Sequence, residues 1–383
     1  MDFALSDTEQ LIQKTARDYA ERRLVPVAAE IDENERFPAS ELRGLAELGL
    51  MGVNVPASLG GAEAGAVAYA LSMIEVAGGC ASTAVTMAVT NMVAEIICRF
   101  GTNEQQTKYV PKLTSGEYAA GSFALSEPGA GSDPGGMQTA ATATSDGFLL
   151  NGSKAWVTSG AHAGVLVVWA RTAPRETHAG ARGISCFLVE KGTTGMKVGV
   201  AEKKMGLRGS NTVPIVFEDC FLPEWALLGE LHEGFRVAMT ALDGGRIGIS
   251  AQAVGIASAA LDEAARYAKD RRQFDRPIAE FQAIQWFLAD SKTELDAARL
   301  LCLRAASMKL DSKPFTREAA IAKLFASEAA NRICDRALQV HGGYGYVRDF
   351  AAERHLRDVR VTRIYEGTSE IQRTVIARSV LRD

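Results

Sequence analysis

The chain has 383 residues, 47% of them hydrophobic, with a formal net charge of -4 and a pI near 5.9. It can bury a large core, and its length exceeds one ordinary domain, so about two or three domains are expected. The mild acidity excludes the electrostatic footprint of a nucleic-acid or anionic-membrane binder and favours a small or acid-tolerant partner.

The opening MDFALSDTEQ carries an early acid, with no basic region leading into an apolar one. No export signal is expected, and the protein is expected to be cytoplasmic. Residues 1–117 read as a helical domain, starting at an S-x-x-E capping box of Ser6 and Glu9 ahead of Leu11 and Ile12. No stretch reads as long and apolar enough to span a bilayer, so no membrane insertion is expected. Over residues 118–228 the pattern changes to short β-rich runs, GFLLNGSKAWVTSG, GVLVVWARTA, GISCFLVEKG and TVPIVFEDC, punctuated by Gly, Pro and Asn-Gly turns. Helical periodicity returns over 229–383, with Ile284, Phe287, Leu288 and Leu295 on one face and Ile321, Leu324 and Phe325 on another. The α, β, α order predicts an α+β multi-domain fold without internal repeats.

Metal and disulfide chemistry find little support. The six cysteines are scattered without a CxxC pair, and the five histidines show no HxH or HxxxH spacing. HGGYGY at 341–346 has glycines suited to phosphate but neither the following Lys-Ser/Thr nor a preceding strand. Arg354, Arg357, Arg360 and Arg363 recur every three residues among Asp349, Glu353 and Asp358, which reads as a salt-bridged, solvated face. In FALSEPGAGSD (123–133) glycines and small hydroxyls would let backbone amides approach an anionic ligand, although a plain glycine turn reads as well. Trp156 and Thr158 lie two apart in a β run and are expected on one strand face, with core packing favoured for Trp156 and a surface hydroxyl for Thr158. In IYEGTSEIQ (364–372), Ser369 and Gln372 form a capping box, and Glu366 stands just before it as either a helix-end charge or a base.

Taken together and in this order, FALSEPGAGSD, LNGSKAWVTSG, RRQFDRPIAEFQAIQ, QVHGGYGY and IYEGTSEIQ resemble the acyl-CoA dehydrogenase family over essentially the whole chain. The resemblance implies an N-terminal helical domain, a small β-barrel-like middle domain and a C-terminal helical bundle. It also implies an FAD enzyme that converts an acyl-CoA thioester to the trans-2-enoyl-CoA and passes electrons to electron-transferring flavoprotein. Glu366 is then the general base for the α proton. Phe123, Leu125, Ser126, Gly131, Ser132, Trp156 and Thr158 resemble the flavin and pyrophosphate positions, and Thr368 and Glu370 the contacts to its ADP part. Arg271, Gln273, Phe274, Gln282, Gln339, Val340, Gly342 and Gly343 resemble positions that bind the FAD of a neighbouring subunit, which implies a homotetramer built as a dimer of dimers. Ser132, Asp243, Arg246, Tyr365 and Gly367 resemble substrate-side positions. No metal is implied.

Some branches of the family carry the base as the glutamate of an LDxER pattern, where this chain has Gly245. Two adjacent glycines, Gly244 and Gly245, would each cost a helix interior about 1 kcal/mol relative to alanine, so close approach of a ligand or another helix is expected there. DGGRIGIS, RGSNT and ERHLRDVRVTRIYEGTSEIQR look most like the short-chain and short-branched-chain members, which leaves fatty-acid and branched amino-acid catabolism both open. Asp275 departs from the glycine usual in QFG and puts the local turn in question. A flavin oxidase or monooxygenase of this fold would carry aspartate in place of Glu366. A nucleic-acid-binding flavoprotein of this fold would add a basic C-terminal region, which is not expected in a chain ending at Asp383.

Overall fold

A computed structural model describes residues 4–174, 178 and 180–382 and resolves the α, β, α order into helices before and after a curled sheet. The early acid of the N-terminal reading, at position 2, lies outside the described residues. The first helices are α1 (Asp7–Tyr19), α2 (Ala28–Glu33), α3 (Ala39–Glu47), α4 (Gly65–Gly79), α5 (Ala81–Phe100) and α6 (Asn103–Thr114). The capping box forms as expected: Glu9 N–H donates to Ser6 Oγ at 3.3 Å, and Ser6 N–H donates to Glu9 Oε2 at 2.7 Å. One expectation needs correcting. Helix α5 is 20 residues long and apolar enough to cross a membrane by length and composition, but 89% of its most apolar stretch is buried inside the protein. A helix apolar on all sides is also what a core position demands.

Strands β1 (Gly121–Ala124), β2 (Ala140–Ala143), β3 (Gly147–Thr158), β4 (Val165–Arg171), β5 (Ile184–Glu190), β6 (Met196–Val198) and β7 (Thr212–Pro223) follow. They form one seven-stranded sheet in the order β1-β4-β2-β3-β7-β6, with β5 paired to β4 off that path. The β3–β7 ladder is antiparallel and breaks register between Leu150 and Gly152 and again between Lys154 and Val157. Strand β4 is buried along its whole length because it is covered on both faces.

The C-terminal part is built on α7 (Gly234–Asp270), a helix of 37 residues. Around it lie α8 (Gln282–Leu310), α9 (Thr316–His341), α10 (Ala352–Val359) and α11 (Ser369–Val380), with a short hairpin of β8 (Arg272–Gln273) and β9 (Arg276–Pro277) after α7. The hairpin turn is Phe274-Asp275, with φ of 50° and 64°. Both centres of a two-residue hairpin of this hand need positive φ, which explains glycine as the usual residue, and aspartate tolerates that region better than most. The turn therefore forms with Asp275 in place.

On α8, Leu295 is buried and Ile284, Phe287 and Leu288 pack half-buried against the main core. On α9 the expected face is displaced. Ile321, Leu324 and Phe325 are only half-buried, while the fully buried stripe is Ala319, Ala322, Lys323, Ala326 and Ala330. Small side chains let α9 lie close to α7, and that contact decides which face is covered.

The arginine series is not simply a solvated face. Arg357 forms bidentate bonds to Asp32 (3.0 and 2.6 Å) and to Glu353 (2.6 and 2.8 Å) and also donates to the Met205 carbonyl. Asp358 is buried and accepts the Leu207 N–H at 2.6 Å. One turn of α10 thus ties the N-terminal helices and the loop ahead of β7 to the C-terminal helices. Burial pushes the Asp358 carboxyl up to about 6.

Candidate active site

The segment before α11 places Glu366 on backbone that few residues adopt. Its φ is 53°, and Gly367 follows at 84°. A non-glycine residue in this region is strained and persists only where its surroundings hold it. The helix cap differs from the expected one: Thr368, not Ser369, is the N-cap, its hydroxyl accepting from Ile371 N–H at 3.3 Å. Ser369 Oγ instead donates to Glu328. Gln372 turns back to donate to the carbonyls of Glu366 (3.1 Å) and Gly367 (2.9 Å). The Lys323 ammonium, fully buried, also donates to the Gly367 carbonyl at 2.6 Å.

The Glu366 side chain points at α7. A Cβ at Gly245 would lie 2.6 Å from Glu366 Oε2, 3.1 Å from Cδ and 3.3 Å from Met92 Sδ. Glycine at 245 therefore makes room for the carboxylate, so the closest approach there comes from a side chain of the chain itself and not from a ligand or a neighbouring helix, while Gly244 meets only Lys309 Nζ at 3.3 Å. The residue as a whole is half-buried, but Oε2 is out of contact with solvent and has no hydrogen-bond partner. Burial pushes the carboxyl up to about 7, with Arg246 and Lys323 pulling the other way. A carboxylate of that kind is a much better base at neutral pH than one in water.

A cavity of about 490 Å³ opens beside this position. Gly245, Met92 and Tyr69 line it at the Glu366 end, and the loop from Ser312 to Thr316 lines it elsewhere. On its wall Lys309 pairs with Glu95, which also accepts from Asn54; behind Gly245, Arg246 pairs with Asp243, which also accepts from the lining Thr316. Tyr365 donates to Gln252, whose amide reaches the Ala81 carbonyl at the start of α5.

The second group of expected residues lies on the sheet. Leu125 is buried, Phe123 packs on Trp169 with ring centres 4.3 Å apart, and Ser126, through its carbonyl, accepts the Ala155 N–H. Trp156 and Thr158 do not alternate as a regular strand would. Trp156 has φ 60° and sits in the second register break of β3, because an extra residue there re-aims the side chain. It is 64% exposed, which overturns core packing and leaves a flat aromatic wall facing outward. Gly131 and Ser132 are exposed, and a Cβ at Gly129 or Gly131 would meet nothing within 4 Å. An open glycine loop beside an exposed indole fits a large, flat, anionic ligand such as the expected flavin dinucleotide.

Beneath this loop is a buried ion pair that the sequence reading missed. Lys154, fully buried, donates to Glu127 Oε1 (2.8 Å) and to the Leu125 carbonyl, and Glu127 accepts from the N–H groups of Gln138 and Thr139. Burial alone would raise Glu127, but Lys154 and the two N–H groups bring it below the usual carboxylate range. Burial pushes Lys154 down to about 8.

Helix α5 joins the two groups. Its Thr86 hydroxyl meets Ser159 Oγ and its Thr90 hydroxyl accepts the Gly121 N–H, while Met92, like Glu366, lies against Gly245. Thr86 and Met92 are about 9 Å apart along the helix, so the sheet loop and the carboxylate border one region. Arg271, Gln273, Phe274, Gln282, Gln339, Gly342 and Gly343 form a separate, exposed group, and Val340 beside them is buried. Arg271 lies over Tyr344 of the glycine turn at 5.4 Å. Along α7 it is about 39 Å from Gly245, too far to share a site with Glu366 in one protomer. Thr368 is half-buried and Glu370 exposed at the start of α11. Among the described residues no cluster of His, Cys, Asp or Glu could hold a metal, and all six cysteines are free.

Residues 6–117, 122–220 and 232–381 match, in turn, the N-terminal, middle and C-terminal domains of acyl-CoA dehydrogenase. A short-chain specific mitochondrial acyl-CoA dehydrogenase of Bos taurus is 50% identical over 379 residues, covering 99% of this chain and 91% of that protein. Butyryl-CoA dehydrogenase from Megasphaera elsdenii superposes with a TM-score of 0.97 at 42% identity, with complete coverage of both chains. A chain solved in work on the electron transferring flavoprotein of Acidaminococcus fermentans and flavin-based electron bifurcation superposes equally well, at 41% identity and complete coverage.

Proposed function

Because the chain belongs to the acyl-CoA dehydrogenase family of FAD-dependent oxidoreductases acting on the CH–CH group, we propose that it oxidises a short acyl-CoA thioester between Cα and Cβ with Glu366 as the base. One observation carries this reading above the others. One oxygen of the Glu366 carboxylate, Oε2, is buried without a hydrogen-bond partner, held against a glycine at the edge of a cavity. A structural glutamate in that position would leave a desolvated charge uncompensated, whereas a base needs a free oxygen aimed at the substrate.

In this mechanism the thioester lies in the cavity with its α carbon beside Glu366 Oε2. Glu366 takes the α proton. The two-electron acceptor for the β hydrogen and its bonding pair would be supplied by FAD when bound. The backbone N–H of Glu366 donates to the thioester oxygen, where charge develops. The loop from Leu125 to Ser132, with Trp156 and Thr158, would hold the cofactor, and Thr368 and Glu370 would hold its ADP part. The left-handed turn fixes the Glu366 side chain and its N–H together, so both act on one bound thioester.

A short substrate is supported by the relatives, whose names specify short-chain and butyryl thioesters. Electron-transferring flavoprotein is the proposed acceptor, in keeping with the Acidaminococcus fermentans chain. The exposed group around Arg271 and Phe274 faces the cofactor of a second copy in a homotetramer. The test is anaerobic addition of straight and branched acyl-CoAs to the yellow protein, ranking them by kcat/KM. The reading requires bleaching by a short thioester and reoxidation by electron-transferring flavoprotein. Rapid peroxide formation in air would instead establish an oxidase.

A further inference from the structure

Lysine is almost never fully buried unless something compensates its charge, yet Lys323 on α9 is fully buried. Its ammonium donates to the Gly367 carbonyl, one residue past Glu366. Gln372, also fully buried, bonds the same carbonyl and that of Glu366. Two buried donors thus converge on two successive carbonyls of a turn whose first residue is a left-handed glutamate.

The charges around Glu366 are otherwise matched. On α7 Arg246 is paired with Asp243. On α5 Glu95 is paired with Lys309 of α8. The carboxylates nearest Lys323 are engaged elsewhere, Glu328 with Arg363 and Ser369, and Glu370 with Arg373. Tyr69 of α4 and Tyr365 are pushed up by burial and carry no charge near neutrality. Lys323 is left as the buried cation whose hydrogen bond goes to a carbonyl; burial pushes it down to about 8, and the carboxylate that opposes this most is Glu366.

We propose that Lys323 is a positioning residue for the catalytic carboxylate: it clamps the Gly367 carbonyl to hold Glu366 against Gly245, and it adds to Arg246 a counter-charge that helps keep the carboxylate ionised when an acyl chain closes the cavity. This rests on the reading of Glu366 as the base. Substrate burial alone would favour the protonated acid and remove the base when it is needed. A fixed cation in the same dry region opposes that, and the clamp stops the strained turn relaxing when the cavity fills.

The test compares K323M, which loses charge and donor, K323Q, which keeps a donor without charge, and Q372L, which loses only the second clamp. Each is measured as FAD-loaded holoenzyme. In K323M and K323Q the acid limb of kcat/KM should move up by about 1 pH unit, in line with the loss of a nearby opposite charge, whereas Q372L should lower kcat without moving that limb. An independent readout is the pH dependence of binding 2,2-dimethylpropanoyl-CoA, which has no α hydrogen to lose. Its transition should shift with the acid limb in both Lys323 variants and vanish in E366Q. Wild-type limbs in folded K323M and K323Q, or equal shifts in Q372L, would overturn the proposal, as would failure of both Lys323 variants to fold. If E366Q reduces its flavin normally, the reading of the base has failed instead, whatever Lys323 does.

Discussion

Gly245 and Glu366 are fitted to each other: the α7 glycine leaves only the space that the Glu366 carboxylate fills, and a Cβ there would come within 2.6 Å of Oε2. Gly245→Ala should therefore fold and displace the base. A misplacement of about 1 Å at the reacting group costs on the order of 10²-fold in rate, and that loss should appear in kcat. Its neighbour provides the control. A Cβ at Gly244 meets only the flexible Lys309 Nζ, at 3.3 Å, so Gly244→Ala should stabilise the helix by up to about 1 kcal/mol and cost less activity than Gly245→Ala. Thermal melts and steady-state rates on the pair check this.

The acid limb of kcat/KM should fall near pH 7, because burial pushes the free enzyme's Glu366 up to about 7 and the base must be ionised to act. The sign follows directly. Below that pH the carboxyl is protonated and the rate drops about tenfold per unit, and above it the rate levels off. A limb near 4.5, where a solvated glutamate titrates, would mean that the base is not desolvated.

Lys154→Met should loosen the cofactor loop from below. It leaves Glu127 charged and buried without its cation, and breaking such a pair costs about 3–5 kcal/mol. The Gln138 and Thr139 N–H groups still bind the carboxylate, so a folded protein with a lowered melting temperature is expected. Its flavin-to-protein ratio after gel filtration should fall below that of the wild type, since the Leu125 carbonyl loses its anchor as well.

Asp358 gives a stability prediction with a defined pH sign. Its folded-state carboxyl titrates near 6, above the ordinary 3.8, so the folded state favours the protonated form. That contribution is complete below about pH 4 and is lost as pH rises through 6. Asp358→Asn keeps an acceptor for the Leu207 N–H and removes the charge. It should stabilise the fold by up to about 3 kcal/mol at pH 8 and have little effect at pH 4, measured by denaturant melts at the two pH values.

Much of the fold was legible because each part repeats a local rule. The Ser6 capping box, the Asn-Gly turns and the α, β, α periodicities are short-range signals, and five ordered motifs identified the family. What escaped depends on contacts between distant elements. Lys323 sits among Ala322, Leu324 and Phe325, where a lysine reads as part of a solvated edge. Only the packing of α9 on α7 turns it inward. Trp156 read as a core residue because alternation was assumed through a strand that bulges. Ser369 and Gln372 had the spacing of a capping box, but Thr368 took the cap and Gln372 was left to bind the carbonyls of the glutamate turn. Gly245 was marked as unusual from sequence alone, and only the structure showed which group needs the space.

The chemistry turns on removal of the α proton by the Glu366 carboxylate. The most direct measurement is rapid anaerobic mixing of FAD-loaded E366Q with butanoyl-CoA, followed at the flavin absorbance band. The glutamine is nearly isosteric, so the variant should retain FAD, bind the thioester and perturb the flavin spectrum, yet fail to bleach on the timescale of the wild type. Bleaching of E366Q at the wild-type rate would show that another group takes the proton.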